Sequence, residues 1–225
     1  MERSFDIIFS GLALFLLLPL LIPILIILRY SGEGEVFFLQ DRIGQDGEIF
    51  KLFKFVTMLK DSPNIGTGTL TIKDDPRILP FGRFLRKTKV NELPQLLNVF
   101  LGQMSVIGPR PLTQDSFSSY SKEVQKLVSM VRPGLSGIGS IIFRDEENIL
   151  TEKEDSLDFY LKSISPYKGK LESWYVKNYR IKTYFKAIIM TVWVIIFPSS
   201  GSVWSLFKDL PEPPNELKSL LNWKL

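Results

Sequence analysis

The chain has 225 residues, 45% of them hydrophobic, with 28 Lys and Arg against 24 Asp and Glu. That length supports one sizeable core with appendages, and a net charge of +4 leaves electrostatic steering to local clusters. With no cysteine and no histidine, disulfides, thiolate nucleophiles, Ser-His-Asp hydrolysis and zinc sites are excluded, leaving carboxylates, Lys, Arg, Tyr or a hard cation on oxygen ligands.

Ile7 to Leu28 is a run of 22 residues without a charge, long enough as a helix to cross roughly 30 Å of hydrocarbon. Glu2 and Asp6 beside Arg3, and the lack of a small-residue cleavage site, argue against a secretory signal. Pro19 and Pro23 each remove a backbone donor and crowd the preceding turn, so a sharp bend is expected. Arg3 and Arg29 flank both ends, so charge does not orient a span. A kinked full span and a hairpin of two half-helices both fit.

Val36 to Arg42 and Glu48 to Met58 are rich in Phe, Val and Ile and flank Gly44-Gln-Asp-Gly47, which predicts two antiparallel strands. Lys60 to Arg77 reads as a surface loop. Ile78 to Lys87 predicts a short helix with Arg83, Arg86 and Lys87 on its outer face. Asn91 fits an N-cap, with Glu92 and Pro94 in the first turn of a helix reaching about Phe100. Asp115 to Val131 has helical spacing and is closed by Pro133-Gly134, which opens a Gly-rich stretch to Ser140. Leu171 to Phe197 reads as one helical segment, either core or interfacial. The tail from Pro198 carries Trp204 and Trp223, residues suited to a headgroup layer. The expected organisation is a membrane segment at 1–29, a body at 30–197 and a tail at 198–225.

Between Lys73 and Lys89 six cations (Lys73, Arg77, Arg83, Arg86, Lys87, Lys89) face two anions, Asp74 and Asp75. Alone, such a run is a solvated face or a headgroup patch. Beside a helix start at Asn91 it becomes a phosphate site, with Arg86 able to bind bidentately. Nucleic acid is a poor partner, because no recognised binding motif accompanies the patch and the apolar segment holds it at lipid. Glu92 and Arg110 read individually as a dipole-favoured first-turn acid and a turn brace.

The ordered set Asp41-Arg-Ile-Gly44, Phe50-Lys-Leu-Phe-Lys-Phe55, Asp75-Pro-Arg77, Gly82-Arg-Phe-Leu-Arg86, Glu92-Leu-Pro-Gln-Leu-Leu-Asn98, Met104-Ser-Val-Ile-Gly-Pro-Arg-Pro111 and Arg132-Pro-Gly-Leu-Ser-Gly137 resembles the bacterial sugar transferases, the monotopic polyprenyl-phosphate glycosyl-1-phosphate transferases. The similarity runs from about residue 2 to Arg144 and resumes near Trp174. It implies an α+β, membrane-anchored monotopic domain with a bent re-entrant N-terminal helix, a small β-hairpin and amphipathic interfacial helices, working at the cytoplasmic face of the bacterial inner membrane. It further implies transfer of a sugar phosphate from a nucleotide diphosphate sugar to undecaprenyl phosphate with Mg²⁺, initiating surface-glycan synthesis. By position, Glu92 inherits a metal role, while Lys54, Arg86, Arg110 and Arg144 inherit phosphate or structural roles; Arg77 of the cation cluster joins them as a substrate-binding candidate. Membrane lipid is an expected partner, nucleic acid is not, and a homodimer stays open.

The resemblance places a nucleophilic Asp where this chain has Asn91. An amide nitrogen, its lone pair delocalised into the carbonyl, is a poor phosphorus nucleophile. Other departures are Leu18, Val56, Ser140, Phe143 and about two dozen residues inserted after Arg144, opening Asp145-Glu146-Glu147. Three readings follow: a replacement carboxylate (Glu92, Asp145 or Glu146), direct attack by polyprenyl phosphate, or an inactive membrane scaffold of a glycan assembly complex.

Overall fold

The computed structural model describes residues 2–65, 75–151, 156–198 and 200–223, so Lys73 and Asp74 of the basic run lie outside the described residues. The architecture is α+β, helices with two small two-stranded sheets.

The apolar segment forms α1 (Glu2–Tyr30), which remains helical through Pro19 and Pro23 rather than dividing into two helices. Only 11% of its most apolar window is buried, and Phe15 and Leu16 near its middle are 69% and 64% exposed. Both ends, however, rest on the same body. Near the start, Asp6 is 1% exposed and accepts hydrogen bonds from Ser105 Oγ (3.0 Å), Val106 N (2.8 Å) and Tyr184 Oη (2.8 Å). Arg3 donates to the carbonyls of Val99 and Phe100 at 2.5 and 2.6 Å. Near the other end, Ile24 and Leu28 are buried with Phe55 and Leu85.

The predicted hairpin is present. β1 (Phe37–Ile43) and β2 (Ile49–Phe55) pair antiparallel from Phe37↔Phe55 to Ile43↔Ile49, with Asp46 in the left-handed region at the turn. α2 (Pro80–Lys87) starts on proline at the first helical position and buries Leu85 completely. Lys89 then adopts φ +58°, turning the chain into a single 3₁₀ turn, Val90–Glu92, before α3 (Gln95–Leu101). Asn91 therefore sits inside that turn, and its side chain caps no helix, contrary to expectation. Asn98 fastens α3 to β2: its Nδ2 donates to Lys51 O at 2.7 Å and its Oδ1 accepts from Phe53 N at 3.0 Å. That register brings Lys54 toward Glu92.

β3 (Ser105–Ile107) leads into the Gly-Pro-Arg-Pro turn. The single helix expected over Asp115–Val131 is two, α4 (Gln114–Ser118) and α5 (Lys122–Val128), because Ser121 caps the second by accepting from Val124 N at 3.3 Å. β4 (Gly134–Ser136) pairs in parallel with β3. The two turns flanking this pair touch backbone to backbone: a Cβ on Gly134 would fall 2.0 Å from Gly108 N. The Gly-rich stretch is thus a packing device beside Arg110.

α6 (Ile138–Ile142), α7 (Glu146–Thr151) and α8 (Ser156–Phe159) follow, then a π-type turn, Tyr160–Ile164, running into α9 (Ser165–Lys177). The inserted segment is therefore helical where described. α10 (Ile181–Ile196) is separate from α9, broken at Asn178–Arg180, so Leu171–Phe197 is not one helix. α10 exposes Ile189, Val192, Ile195 and Ile196 while burying Tyr184, Ala187 and Met190.

The tail folds back onto the body through α11 (Ser202–Leu206) and α12 (Asn215–Lys218). Trp204 is 9% exposed, stands edge-to-face with Trp223 at 4.7 Å and joins the main core with Phe207, Leu210 and Leu217. Trp204 is thus a core residue and Trp223 packs, partly buried, against it, rather than both anchoring in headgroups. Apolar neighbours outweighed the interfacial tendency of Trp, burying an area that stabilises by about 2 kcal/mol per large side chain.

Candidate active site

A cleft of about 1020 Å³ opens between the hairpin, the Val90–Glu92 turn, the Gly-Pro-Arg-Pro turn and the inserted helices. Apolar Phe37, Phe38 and Leu39 of β1 and Arg29 at the end of α1 line one part, and the remainder mixes apolar and neutral polar side chains with a set of charged ones. Eight cations (Arg29, Arg42, Lys54, Lys60, Arg86, Lys89, Arg110, Lys168) and three carboxylates (Glu35, Glu92, Glu146) line it, a local excess of five positive charges. Such a cleft concentrates polyanions.

At its floor Lys54 Nζ meets Glu92 Oε1 at 3.4 Å, the two side chains 20% and 30% exposed. Burial lowers the Lys54 ammonium to about 8, with Glu92 opposing and Arg110 and Arg42 reinforcing the fall. Burial alone would raise the Glu92 carboxyl, but Lys54, Arg110 and Lys89 hold it below the usual carboxylate range. Arg42 falls to about 10 through burial and Arg110. Arg110 is solvent-exposed; partial desolvation in the cleft opposes its charge, and Glu92 and Glu146 more than restore it. Arg110 is therefore within electrostatic reach of carboxylates on two walls.

On the wall built by the insertion, both oxygens of Glu146 accept from Lys168 Nζ, at 2.7 and 2.6 Å. Lys168 is 6% exposed, and its ammonium lies 5.2 Å from the Phe143 ring centroid and 5.8 Å from that of Tyr160. Its pKa is lowered by burial despite the Glu146 partner.

The structure brings together Lys54, Arg86, Asn91, Glu92, Arg110 and Glu146 among the residues expected from sequence. Three others stand apart from the lining. Arg77, 3% exposed, is held by the Asp75 carboxylate at 2.6 and 2.8 Å and donates to the carbonyls of Ser62 and Ile65, bracing the loop. Asp145 is exposed, and its backbone carbonyl accepts the amides of Asn148 and Ile149 at the start of α7. Arg144 has a buried Nη1 without a hydrogen-bond partner among the described residues. Sequence reasoning gave no role to Arg42, although it lies within the Asp41–Gly44 motif. It also passed over Tyr160, Lys168 and Glu172, which no motif marks.

Asn91 is 7% exposed, and its Oδ1 has no hydrogen-bond partner among the described residues. An unmet amide oxygen beside the Glu92 carboxylate is a donor set suited to a hard divalent cation. No group of three or more acidic residues of metal-site type occurs among the described residues. Two protein oxygens with the remainder from substrate phosphates match the way Mg²⁺ is usually held in phosphoryl-transfer sites. The residues present fit such an ion.

A cationic cleft with acidic residues, reached by the end of an exposed apolar helix, is chemistry suited to phosphates. The chain belongs to the bacterial sugar transferase family, whose model matches residues 1–198. It is 34% identical over 164 residues to the exopolysaccharide production protein ExoY of Sinorhizobium fredii, covering 67% of this chain and 72% of that protein. Over 210 residues it is 30% identical to the undecaprenyl-phosphate galactose phosphotransferase of Salmonella typhimurium, covering 87% of this chain but only 40% of that longer protein. The UDP-glucose:undecaprenyl-phosphate glucose-1-phosphate transferase of Escherichia coli is 36% identical over 167 residues, covering 73% and 36% of the two chains.

Proposed function

We propose that the protein transfers a sugar-1-phosphate from a nucleotide diphosphate sugar to undecaprenyl phosphate, beginning the synthesis of a surface glycan at the cytoplasmic face of the inner membrane. The observation that carries this reading is the cleft itself, where the apolar β1 surface and the end of α1 meet the Lys54, Arg86 and Arg110 cations. In the reading the polyprenyl chain stays in lipid along α1, its phosphate enters the cleft, and the water-borne donor binds from the open side. Relatives named for UDP-sugars and undecaprenyl phosphate support the same substrates. Docking of both ends of α1 on one body supports a helix that dips into one leaflet and returns. A second copy is an additional partner, to be tested by cross-linking.

Glu92 and the Asn91 oxygen would hold Mg²⁺, which would neutralise developing phosphate charge. Arg110 and Arg86 orient the diphosphate, and Lys54 keeps Glu92 ionised. Asn91 supplies no nucleophile. Glu146 is the replacement: it lines the cleft, whereas Asp145 does not, and Lys168 holds its carboxylate ready. A Glu146 oxygen bonds to the β-phosphorus, the bond to the bridging oxygen breaks, and the nucleoside monophosphate leaves with that electron pair. An oxygen of undecaprenyl phosphate then attacks the same phosphorus and releases Glu146 as carboxylate. No proton changes hands.

The test is purified protein with Mg²⁺, undecaprenyl phosphate and a panel of UDP-sugars, followed by UMP release and intact mass. The expected result is turnover with one donor and, without acceptor, a sugar-phosphate adduct mapped to Glu146 that hydroxylamine removes. Turnover that needs acceptor and leaves no adduct replaces Glu146 by direct attack. The Asn91 substitution favours a second reading, an inactive scaffold, and absence of UMP release with every donor selects it.

A further inference from the structure

Glu172 has no role in the chemistry above, yet it lies directly behind Arg110. It belongs to α9, is 2% exposed, and its Oε1 accepts the Arg110 backbone N–H at 3.3 Å. Its Oε2 has no hydrogen-bond partner among the described residues. α6 reaches the carboxylate through glycine: a Cβ on Gly139 would fall 2.4 Å from Oε1. Three elements therefore converge on one buried acid with an unmet oxygen, an arrangement that costs stability. A cavity of about 20 Å³ bounded by Arg110, Tyr120 and Glu172, roughly one water in size, adjoins it.

We propose that Glu172 is a positioning residue whose carboxylate fixes the Gly-Pro-Arg-Pro turn, so that Arg110 faces the donor diphosphate, and whose protonation releases that hold. The inference rests on the transferase reading and adds regulation by pH to the same site. A charge-assisted hydrogen bond to the Arg110 amide is about twice as strong as a neutral one. Burial pushes the Glu172 carboxyl up to about 7, against the pull of the Arg110 amide, Lys168 and the Arg110 charge. The other titratable groups facing it are Arg110 on the turn, Tyr120 after α4, and Lys168 and Tyr175 on α9. Burial raises both tyrosines further from neutrality, and α6 contributes glycine backbone. Because the transfer moves no proton, a pH step near neutrality comes from the site or from the substrate phosphates. Ionisation of those phosphates, near pH 6, is common to all variants and cancels in a ratio.

The experiment compares wild type, Glu172→Gln and Glu172→Asp for UDP affinity by calorimetry and for kcat/KM between pH 5.5 and 9, with thermal unfolding at pH 5 and pH 8. The expected result is a wild-type to Glu172→Gln ratio that rises about fivefold to tenfold from pH 6 to pH 8 in both affinity and kcat/KM. Glu172→Asp keeps part of the step. Glu172→Gln also unfolds at higher temperature than wild type at pH 8 but not at pH 5, since the ionised buried acid is then gone. A flat ratio, or a Glu172→Gln protein that loses stability along with activity, overturns the proposal. A pH step in UDP affinity with no turnover for any donor leaves Glu172 in its role and sinks the transferase reading alone.

Discussion

At the residue scale, the cleft works through cations whose charge depends on their neighbours. Lys54 is lowered to about 8, so it is charged at neutral pH and loses its proton as pH rises through that value. Donor kcat/KM is accordingly expected to fall above pH 8, and Lys54→Arg, whose guanidinium stays protonated, to extend the plateau past pH 9. A pH–rate profile of the two proteins checks this. Glu92→Gln removes the carboxylate that meets Lys54 and would hold the metal; the expected loss in kcat is about 10²- to 10³-fold, with the fold retained by circular dichroism. Most of these residues were legible in the sequence because they cluster in ordered motifs. Asn91 was legible as a chemical departure but not as an unpartnered oxygen, since the left-handed turn at Lys89 that removes it from a cap position depends on packing. Lys168 and Glu172 were not legible: each becomes part of the site only when α9 folds against the Arg110 turn.

At the element scale, β-rich composition around the Gly44–Gly47 turn placed the hairpin, and α2 was placed as well, within two or three residues at most ends, while helical spacing overestimated helix length elsewhere. The cap at Ser121 and the extended residue Arg180 divide segments whose apolar spacing continues across the break. The tail was misread because Trp204 and Phe207 have no local pattern that separates a core from a headgroup layer. One buried acid makes the largest set of side-chain bonds attaching the start of α1. Asp6→Ala deprives Ser105, Val106 and Tyr184 of a shared acceptor, and breaking such a buried charged network costs about 3 kcal/mol. Thermal unfolding in detergent is expected to show a lower midpoint for Asp6→Ala, with Asp6→Asn intermediate because the amide oxygen still accepts.

At the scale of the whole molecule, an apolar helix rests with both ends on the body that carries the cleft, and the proposed function sets that cleft against lipid. The chain has no native cysteine, so single cysteines report topology without interference. Ser4→Cys and Glu48→Cys are expected to react from the same side of sealed inverted vesicles, and labelling from opposite sides would mean a full span. The excess positive charge of the cleft makes donor capture sensitive to ionic strength, with donor KM expected to rise severalfold between 0.05 and 0.5 M salt. The most direct measurement is product formation in bilayer nanodiscs carrying undecaprenyl phosphate, with a UDP-sugar panel and Mg²⁺ outside. The account predicts undecaprenyl diphosphate sugar from wild type, dependent on the polyprenyl phosphate and lost with Glu92→Gln. Failure of every donor, or equal product from Glu92→Gln, would contradict it.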